Sequence, residues 1–502
     1  MQDEYGARTQ KLAVGFTFDP SSTATNLIAW VTHDTFVFLD APDWDGKLTR
    51  LSGPNLEQAE DVIINLPRSK KDHVTNSIAF GSDGALYFTQ ASMSAMGRAD
   101  RTWGDRAEHL LSAAVLRLDV SKLGTLPLDV KTAEGGGTYN PYDANAPLTI
   151  YASGVRNAYD LVWHSNGSLY VPTNSSAAGG NTPGSVNGTL RPDGTLYSGQ
   201  AVPALTDVQQ TPTDFLYNVV KGGYYGHPNP LRGQFVMNGG NTSSANDPAL
   251  LKDYPLGTAP DPNYRGYSFD FQLHASPDGA IEYKSNTFNG ALKGKLMVVR
   301  YSQHKDIITL TPGGPNKDIV SAIEGYEIEG FSGFDDPLDL TEDTTKGNIY
   351  VSEYGGDGRI VLLKPVIKTN SSGTATANTI RTIMPIRVAH TVPQCDDTTD
   401  AVRHVYSVVL NDSVGINEKT RIYPNPVQNK FHVYIEGSIE ESIVLQIVDA
   451  SGKTFELGTY QLKSGVNDIE ADISDLSLED GVYFLKMITG TDTRVIKLII
   501  ER

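Results

Sequence analysis

The chain has 502 residues and a formal net charge of −18, from 41 Lys and Arg against 59 Asp and Glu. That balance argues against a nucleic-acid partner and against an anionic membrane surface, both of which are held by clustered Lys and Arg. With 48 Gly, 27 Pro and 24 Tyr, and little helical-period alternation, the composition disfavours a helical bundle and predicts an all-β chain of short strands and turns.

The single cysteine, Cys395, allows neither an internal disulfide nor a Cys-based zinc site. No apolar run is long enough for a transmembrane segment. Met1 to Tyr5 is polar and acidic, without the basic and apolar regions of a signal peptide.

In chain order, three segments share a pattern. Ser82-Asp83-Gly84-Ala85-Leu86-Tyr87-Phe88, Ser165-Asn166-Gly167-Ser168-Leu169-Tyr170-Val171 and Thr345-Lys346-Gly347-Asn348-Ile349-Tyr350-Val351 each place a polar-Gly turn before an apolar-Tyr-apolar strand. A short apolar strand precedes each one, at Ile78 to Phe80, Leu161 to Trp163 and Leu338 to Leu340. Weaker copies occur at Phe16 to Pro20 and Ser276 to Ile281. One such unit is an ordinary hairpin; its recurrence predicts the blades of a β-propeller. Gly84 and Gly167 stand about two blade lengths apart, at about 40–50 residues per blade, so long insertions are predicted at 97–112 and 172–213. Loops on one face of a propeller are where ligands bind.

Residues 1–365 therefore read as the propeller and 366–417, rich in Thr, Ser and Asn, as a linker with some strand structure at Arg403 to Leu410. A second unit occupies 418–502. Its alternating segments, among them Lys430 to Ile435, Ile443 to Asp449 and Gly481 to Met487, predict a small Ig-like β-sandwich.

Tyr423-Pro424-Asn425-Pro426, the Asp449 to Gly452 turn, Asp475-Leu476-Ser477 leading to Gly481-Val482-Tyr483, and the terminal Lys497-Leu498-Ile499 resemble the C-terminal sorting domain of the type IX (Por) secretion system. The resemblance implies a Bacteroidetes-type bacterium and passage through the type IX machinery to the outside, released or held on the cell surface. Such cargo first crosses the inner membrane with a signal peptide, so residues before Met1, and part of the first blade, are expected to be missing.

Lys71-Asp72-His73, Gly154-Val155-Arg156-Asn157 and Lys221-Gly222-Gly223-Tyr224-Tyr225-Gly226-His227-Pro228-Asn229, with the repeated blade pattern, resemble the glucose/sorbosone dehydrogenases, the soluble quinoprotein sugar dehydrogenases. The resemblance spans about residues 10–365 and implies a six-bladed propeller that oxidises an aldose or related carbohydrate with pyrroloquinoline quinone (PQQ). His73 matches the base, for which a neutral imidazole suits. Arg156 and Asn157 match the pair that orients the quinone. A calcium ion is implied on the loop Asn174-Ser175-Ser176, with Asp214 as a further ligand; oxygen-only ligation suits calcium. The Tyr224 to Pro228 run also reads as a structural turn closing a blade.

Two features depart from the family. Where it carries arginines for the cofactor's acid groups, this chain has Gly333-Phe334-Asp335-Asp336-Pro337-Leu338-Asp339, acids that would repel a polyanion or cap a turn. The family's cofactor lysine lacks a clean match, and Arg300 or Lys305 are the substitutes. Three readings follow: a quinone-dependent sugar dehydrogenase, a non-catalytic propeller binding glycan or protein at the cell surface, and a lactonase-type hydrolase, which would need acids and amides converging on a metal.

Overall fold

The computed structural model describes residues 11–355, 358–369, 375–385 and, with short gaps, 421–500. Cys395, the Arg403 to Leu410 segment and Pro424 to Pro426 lie outside the described residues. The described chain is all-β, without an α-helix, and divides into two compact units.

The first unit contains five four-stranded antiparallel sheets. Sheet A comprises Lys11–Phe18, Ile28–Thr35, Gly46–Ser52 and Gln58–Leu66, with Leu128–Asp129 added at its edge. Sheet B comprises Thr75–Phe80, Leu86–Gln90, Ala114–Leu118 and Leu148–Ser153; sheet C comprises Val162–Trp163, Leu169–Thr173, Asp214–Val219 and Phe269–Gln272. Sheet D comprises Pro277–Glu282, Leu296–Arg300, Asp306–Gly313 and Asp318–Ile323; sheet E comprises Pro337–Asp343, Asn348–Glu353, Arg359–Thr369 and Ala375–Pro385. Six blades are expected from the resemblance; five such sheets are present among the described residues of the first unit.

The apolar-Tyr-apolar pattern has a direct cause. Side chains alternate between the two faces of a strand, and here both faces are covered. Leu86 and Phe88 of sheet B pack against Trp30 and Leu48 of sheet A, while Tyr87 between them packs with Leu169 and Val171 of sheet C. Tyr170 of sheet C then packs with Val298 and Ile308 of sheet D. Successive sheets also touch through their first strands, B with C, C with D and D with E. Face-to-face succession of this kind is what the blades of a propeller require.

Two expectations are corrected. Sheet E runs past Lys364-Pro365, because its third and fourth strands take in 366–369 and 375–385, segments rich in the β-branched residues that favour strands. The Ser276 to Ile281 copy is no hairpin turn: Asp278 and Gly279 lie inside the first strand of sheet D, at a bulge between Pro277 and Ala280. Gly279 is needed there because a Cβ would sit 2.4 Å from Asp339 Oδ1. The predicted insertions are present. Residues 97–112 hold a short 3-10 turn, Arg101–Trp103, capped by Asp100. Residues 172–213 hold a ribbon of Gly180–Thr182 and Leu205–Val208. Arg98 joins the two insertions, donating its amide to Asn181 O (3.1 Å) and Nη2 to Leu205 O (2.9 Å).

The second unit has a three-stranded sheet (Arg421–Tyr423, Lys430–Gly437, Gly465–Asp472) and a four-stranded sheet (Thr454–Leu462, Glu441–Val448, Gly481–Ile488, Thr493–Ile500). Phe431, Val433 and Ile435 from one and Leu445, Ile447 and Leu485 from the other share a single apolar core. Phe431→Ala is expected to destabilise this unit by about 3–5 kcal/mol, the usual cost of emptying a buried aromatic site. Scanning calorimetry of the full chain would show this as an earlier transition.

Candidate functional site

In a four-stranded meander, the loop joining strands two and three leaves from the same edge as the connection into strand one. His73 precedes the first strand of sheet B, and Glu108 lies in its second loop. Arg156 and Asn157 precede the first strand of sheet C, and Ser175, Ser176 and Asp214 flank its second loop. The antiparallel register Thr75↔Gln90 and Ala114↔Ser153 puts these connections at one edge. Residues far apart in sequence therefore meet.

Arg156 is the centre of this meeting. It is 7% exposed, and it donates from Nε to Ala95 O (3.2 Å) and from Nη1 to Ser175 O (2.7 Å) and Asn174 O (3.4 Å). Its own carbonyl accepts from the Ser92 amide at 2.7 Å. The Trp103 ring lies under the guanidinium at 5.1 Å and stacks on His73 with centroids 3.9 Å apart. Trp103 comes from the 97–112 insertion and is a site residue that the sequence did not single out; an aromatic in a Gly- and charge-rich loop was the available signal.

His73 is buried, with Nδ1 within 2.9 Å of Ser92 O and 3.0 Å of Ser92 Oγ. Burial, with the Arg156 charge next, holds its imidazole well below the usual histidine range. Asn157 accepts from Asn76 Nδ2 (3.0 Å) through Oδ1, and its carbonyl accepts from the Asn174 amide (2.8 Å). Asp214 takes the Ser175 amide on one oxygen (2.8 Å) and the Ser276 amide on the other (2.9 Å). Burial raises its carboxyl above the ordinary value, while these two amides oppose the shift. Six of the predicted residues thus form one contiguous set.

Arg300 and Lys305 do not join it. Arg300 donates to Asp306 through Nε (2.8 Å) and Nη2 (2.6 Å), and also to Glu324 (2.5 Å). Lys305 pairs with Asp336 at 2.6 Å. Both cations come from the second loop of sheet D, where carboxylates of the same chain already neutralise them. His304, Asp306 and Glu324 have the spacing of a metal trio, but the Arg300 guanidinium occupies the carboxylates. Asp335 is anchored by its amide, which donates to Glu353 at 2.7 Å.

A small cleft of about 10 Å³, room for about one water, opens beside Arg156, lined also by Thr173, Ser175, Ser176, His227 and Asn238. His227 comes from the run that also reads as a structural turn. Gly226 must precede it: its φ is +106°, and a Cβ would lie 2.2 Å from Asn238 Oδ1. His227 Nε2 is 3.0 Å from Glu108 Oε1. Glu108 also accepts from Ser94 Oγ and Ser112 Oγ, each at 2.5 Å. Burial works against its charge, but His227 and the two hydroxyls hold its carboxyl down at about 2.

A second set of acids stands at the first strands. Asp160 accepts the Ala280 amide at 2.8 Å, and Asp278 accepts from Asn174 Nδ2 at 3.0 Å. Asp339 packs on Gly279. Burial pushes Asp278 up to about 7; burial and the neighbouring Asp160 push Asp339 up to about 8.

The fit to a quinone and calcium can be judged from these contacts. The one predicted cation on the cleft, Arg156, already holds three carbonyls, and buried acids stand near it. The cleft, at about 10 Å³, has room for about one water and not for a cofactor, whose sites usually measure ~300–1,000 Å³. The Ser175 carbonyl and both Asp214 oxygens are occupied, and a calcium ion placed on them would meet the Arg156 charge. The residues as arranged do not fit either group.

A native carboxyl above its unfolded value of about 3.9 binds the extra proton when folded, so stability is highest in acid and falls as pH rises through about 7. Asp278→Asn should therefore raise the melting temperature of the first unit more at pH 8 than at pH 5. Paired thermal melts check this.

Residues 421–501 match the family model described as the secretion system C-terminal sorting domain. No curated protein matches the chain. Among solved structures, the PQQ-bound aldose sugar dehydrogenase of Streptomyces coelicolor aligns at 14% identity, over 71% of this chain and 81% of that one, with a TM-score of 0.39. The pyranose dehydrogenase PQQ domain of Coprinopsis cinerea aligns at 13%, over 72% and 86%, with a TM-score of 0.42. At these scores neither likeness bears on activity.

Proposed function

We propose that this chain, which carries a secretion-system C-terminal sorting domain, is an exported cell-surface propeller that binds glycan or protein on the loop face around Arg156, without a resident quinone. The observation that carries this reading is the internal neutralisation of Arg300 and Lys305 by Asp306, Glu324 and Asp336. It leaves the cleft one cation, too few for a cofactor with several carboxylates.

The reading extends to the architecture and the route. The five sheets belong to a six-bladed propeller over residues 1–365, extended through the remainder of sheet E to Pro385, and joined through the rest of the 366–417 segment to an Ig-like sandwich over 418–502. The source is a Bacteroidetes-type bacterium, and the partner of the sandwich is the type IX secretion machinery. Deleting 421–502 is expected to abolish surface display and retain the protein inside the outer membrane, read by protease accessibility of intact cells. Unchanged display would overturn the assignment of the route.

The convergence of six predicted residues favours a second reading, a PQQ-dependent sugar dehydrogenase. There His73 is the base, Arg156 and Asn157 orient the quinone, and Ser175, Ser176 and Asp214 hold calcium. Calorimetric titration with PQQ and calcium, beside titration with a panel of aldoses and sugar acids, separates the two. Sugar binding without quinone binding is expected. Quinone binding at micromolar concentration, together with dye-linked aldose oxidation lost in His73→Ala, would establish the second reading in its place.

A further inference from the structure

The first strands of sheets C, D and E touch one another, and two carboxyl groups meet where they do. From sheet C, Asp160 accepts the Leu161 amide on Oδ1 (2.8 Å) and the Ala280 amide of sheet D on Oδ2 (2.8 Å). From sheet E, Asp339 accepts the Leu340 amide on Oδ1 (2.8 Å). Its Oδ1 and Cα stand where a Cβ of residue 279 would lie. The bulge between Pro277 and Ala280 and the bare Cα of Gly279 thus let both acids close on one peptide of sheet D.

No cation answers them. Among the described residues, no Lys, Arg or His acts on either carboxyl. The groups that face the pair are the Ser77 hydroxyl of sheet B, which bonds to Asp160, the Tyr159 phenol and the Asp278 carboxyl. Asp72 and Asp214 stand behind Asp278 and add negative charge. Desolvation raises both Asp160 and Asp339, and the Asp160 charge raises Asp339 further. Two carboxyls so placed titrate as one unit and keep a proton between them.

We propose that Asp160 and Asp339 form a proton-sharing pair that clamps the first strands of sheets C, D and E, and that loss of the proton loosens this joint in alkaline solution. Each carboxyl holds a proton more tightly folded than unfolded. The joint is therefore firmest in acid and weakens as pH rises through the folded values. The clamp belongs to the framework and is independent of what the loop face binds.

Hydrogen–deuterium exchange of the full chain at about pH 6 and about pH 9, corrected for intrinsic exchange rates, tests this. Protection of Pro277–Glu282 and Pro337–Asp343 is expected to fall at least about tenfold between the two, the equivalent of one pH unit of differential proton binding. Ala114–Leu118 of sheet B, the internal reference, should stay unchanged. Asp339→Asn keeps the Leu340 acceptor and the volume but carries no charge, and should hold protection at both pH values. Asp160→Asn should do the same, and the double variant should add nothing, because one shared proton is at stake. No alkaline loss in the wild-type chain would overturn the inference, and so would a loss that both variants retain. Additive gains would replace the pair by two independent carboxyls. Recovery of wild-type protection at about pH 9 on adding calcium chloride would make the joint a cation site and reject proton sharing. Infrared spectra of the wild-type chain supply a measurement that needs no variant: the carbonyl stretch of a protonated carboxylic acid is expected at about pH 6 and lost at about pH 9, and its absence at the lower pH would reject the pair.

Discussion

The constraint on which the first unit depends is that its central strands are apolar on both faces. A strand buried on one face alternates apolar and polar residues; one buried on both cannot. Leu86, Tyr87 and Phe88 have neighbours on two sides, and so do Leu169, Tyr170 and Val171. No single sheet satisfies such strands, so the sheets must stack face against face. Stacking brings corresponding loops of successive sheets to one edge, and the site is made of those loops.

Arg156 turns that proximity into a fixed site. Its guanidinium ties the Ala95 loop of sheet B to the Asn174-Ser175 loop of sheet C, and Trp103 stacks against both Arg156 and His73. Because the cation is used structurally, the surroundings can be acidic without unfolding the site. The same arrangement disfavours a polyanionic cofactor, since Asp160, Asp278 and Asp339 stand at the first strands and supply no cation for its acid groups.

The charge pattern therefore divides in two. Around Arg300 and Lys305, carboxylates are paired and structural. Around Asp278 and Asp339, burial and mutual repulsion raise the carboxyls toward neutrality. The cleft at Arg156 lies between these conditions, with a positive group, a neutral imidazole and a free hydroxyl.

Much of this was legible in the residues themselves. Turn residues and the period-two pattern predict the strands, the both-face apolar pattern predicts stacked sheets, and the C-terminal motifs identify the sorting domain, because each signal lies within a few consecutive residues. His73, Arg156, Asn157, Ser175, Ser176 and Asp214 could be named in advance and do converge. Three things needed the tertiary structure. Arg300 and Lys305 are neutralised by Asp306, Glu324 and Asp336, partners that folding brings to them. Glu108 and His227, 119 positions apart, form a pair only because the long connection between the third and fourth strands of sheet C runs back past Ser153 and Gly154, whose carbonyls accept the Tyr225 and His227 amides. Asp278, read as a turn residue, lies within a strand, because a bulge and the close approach of Asp339 replaced the hairpin. Sequence determines what each residue can do; which charges remain unpaired depends on contacts across the fold, and those decide what the cleft can bind.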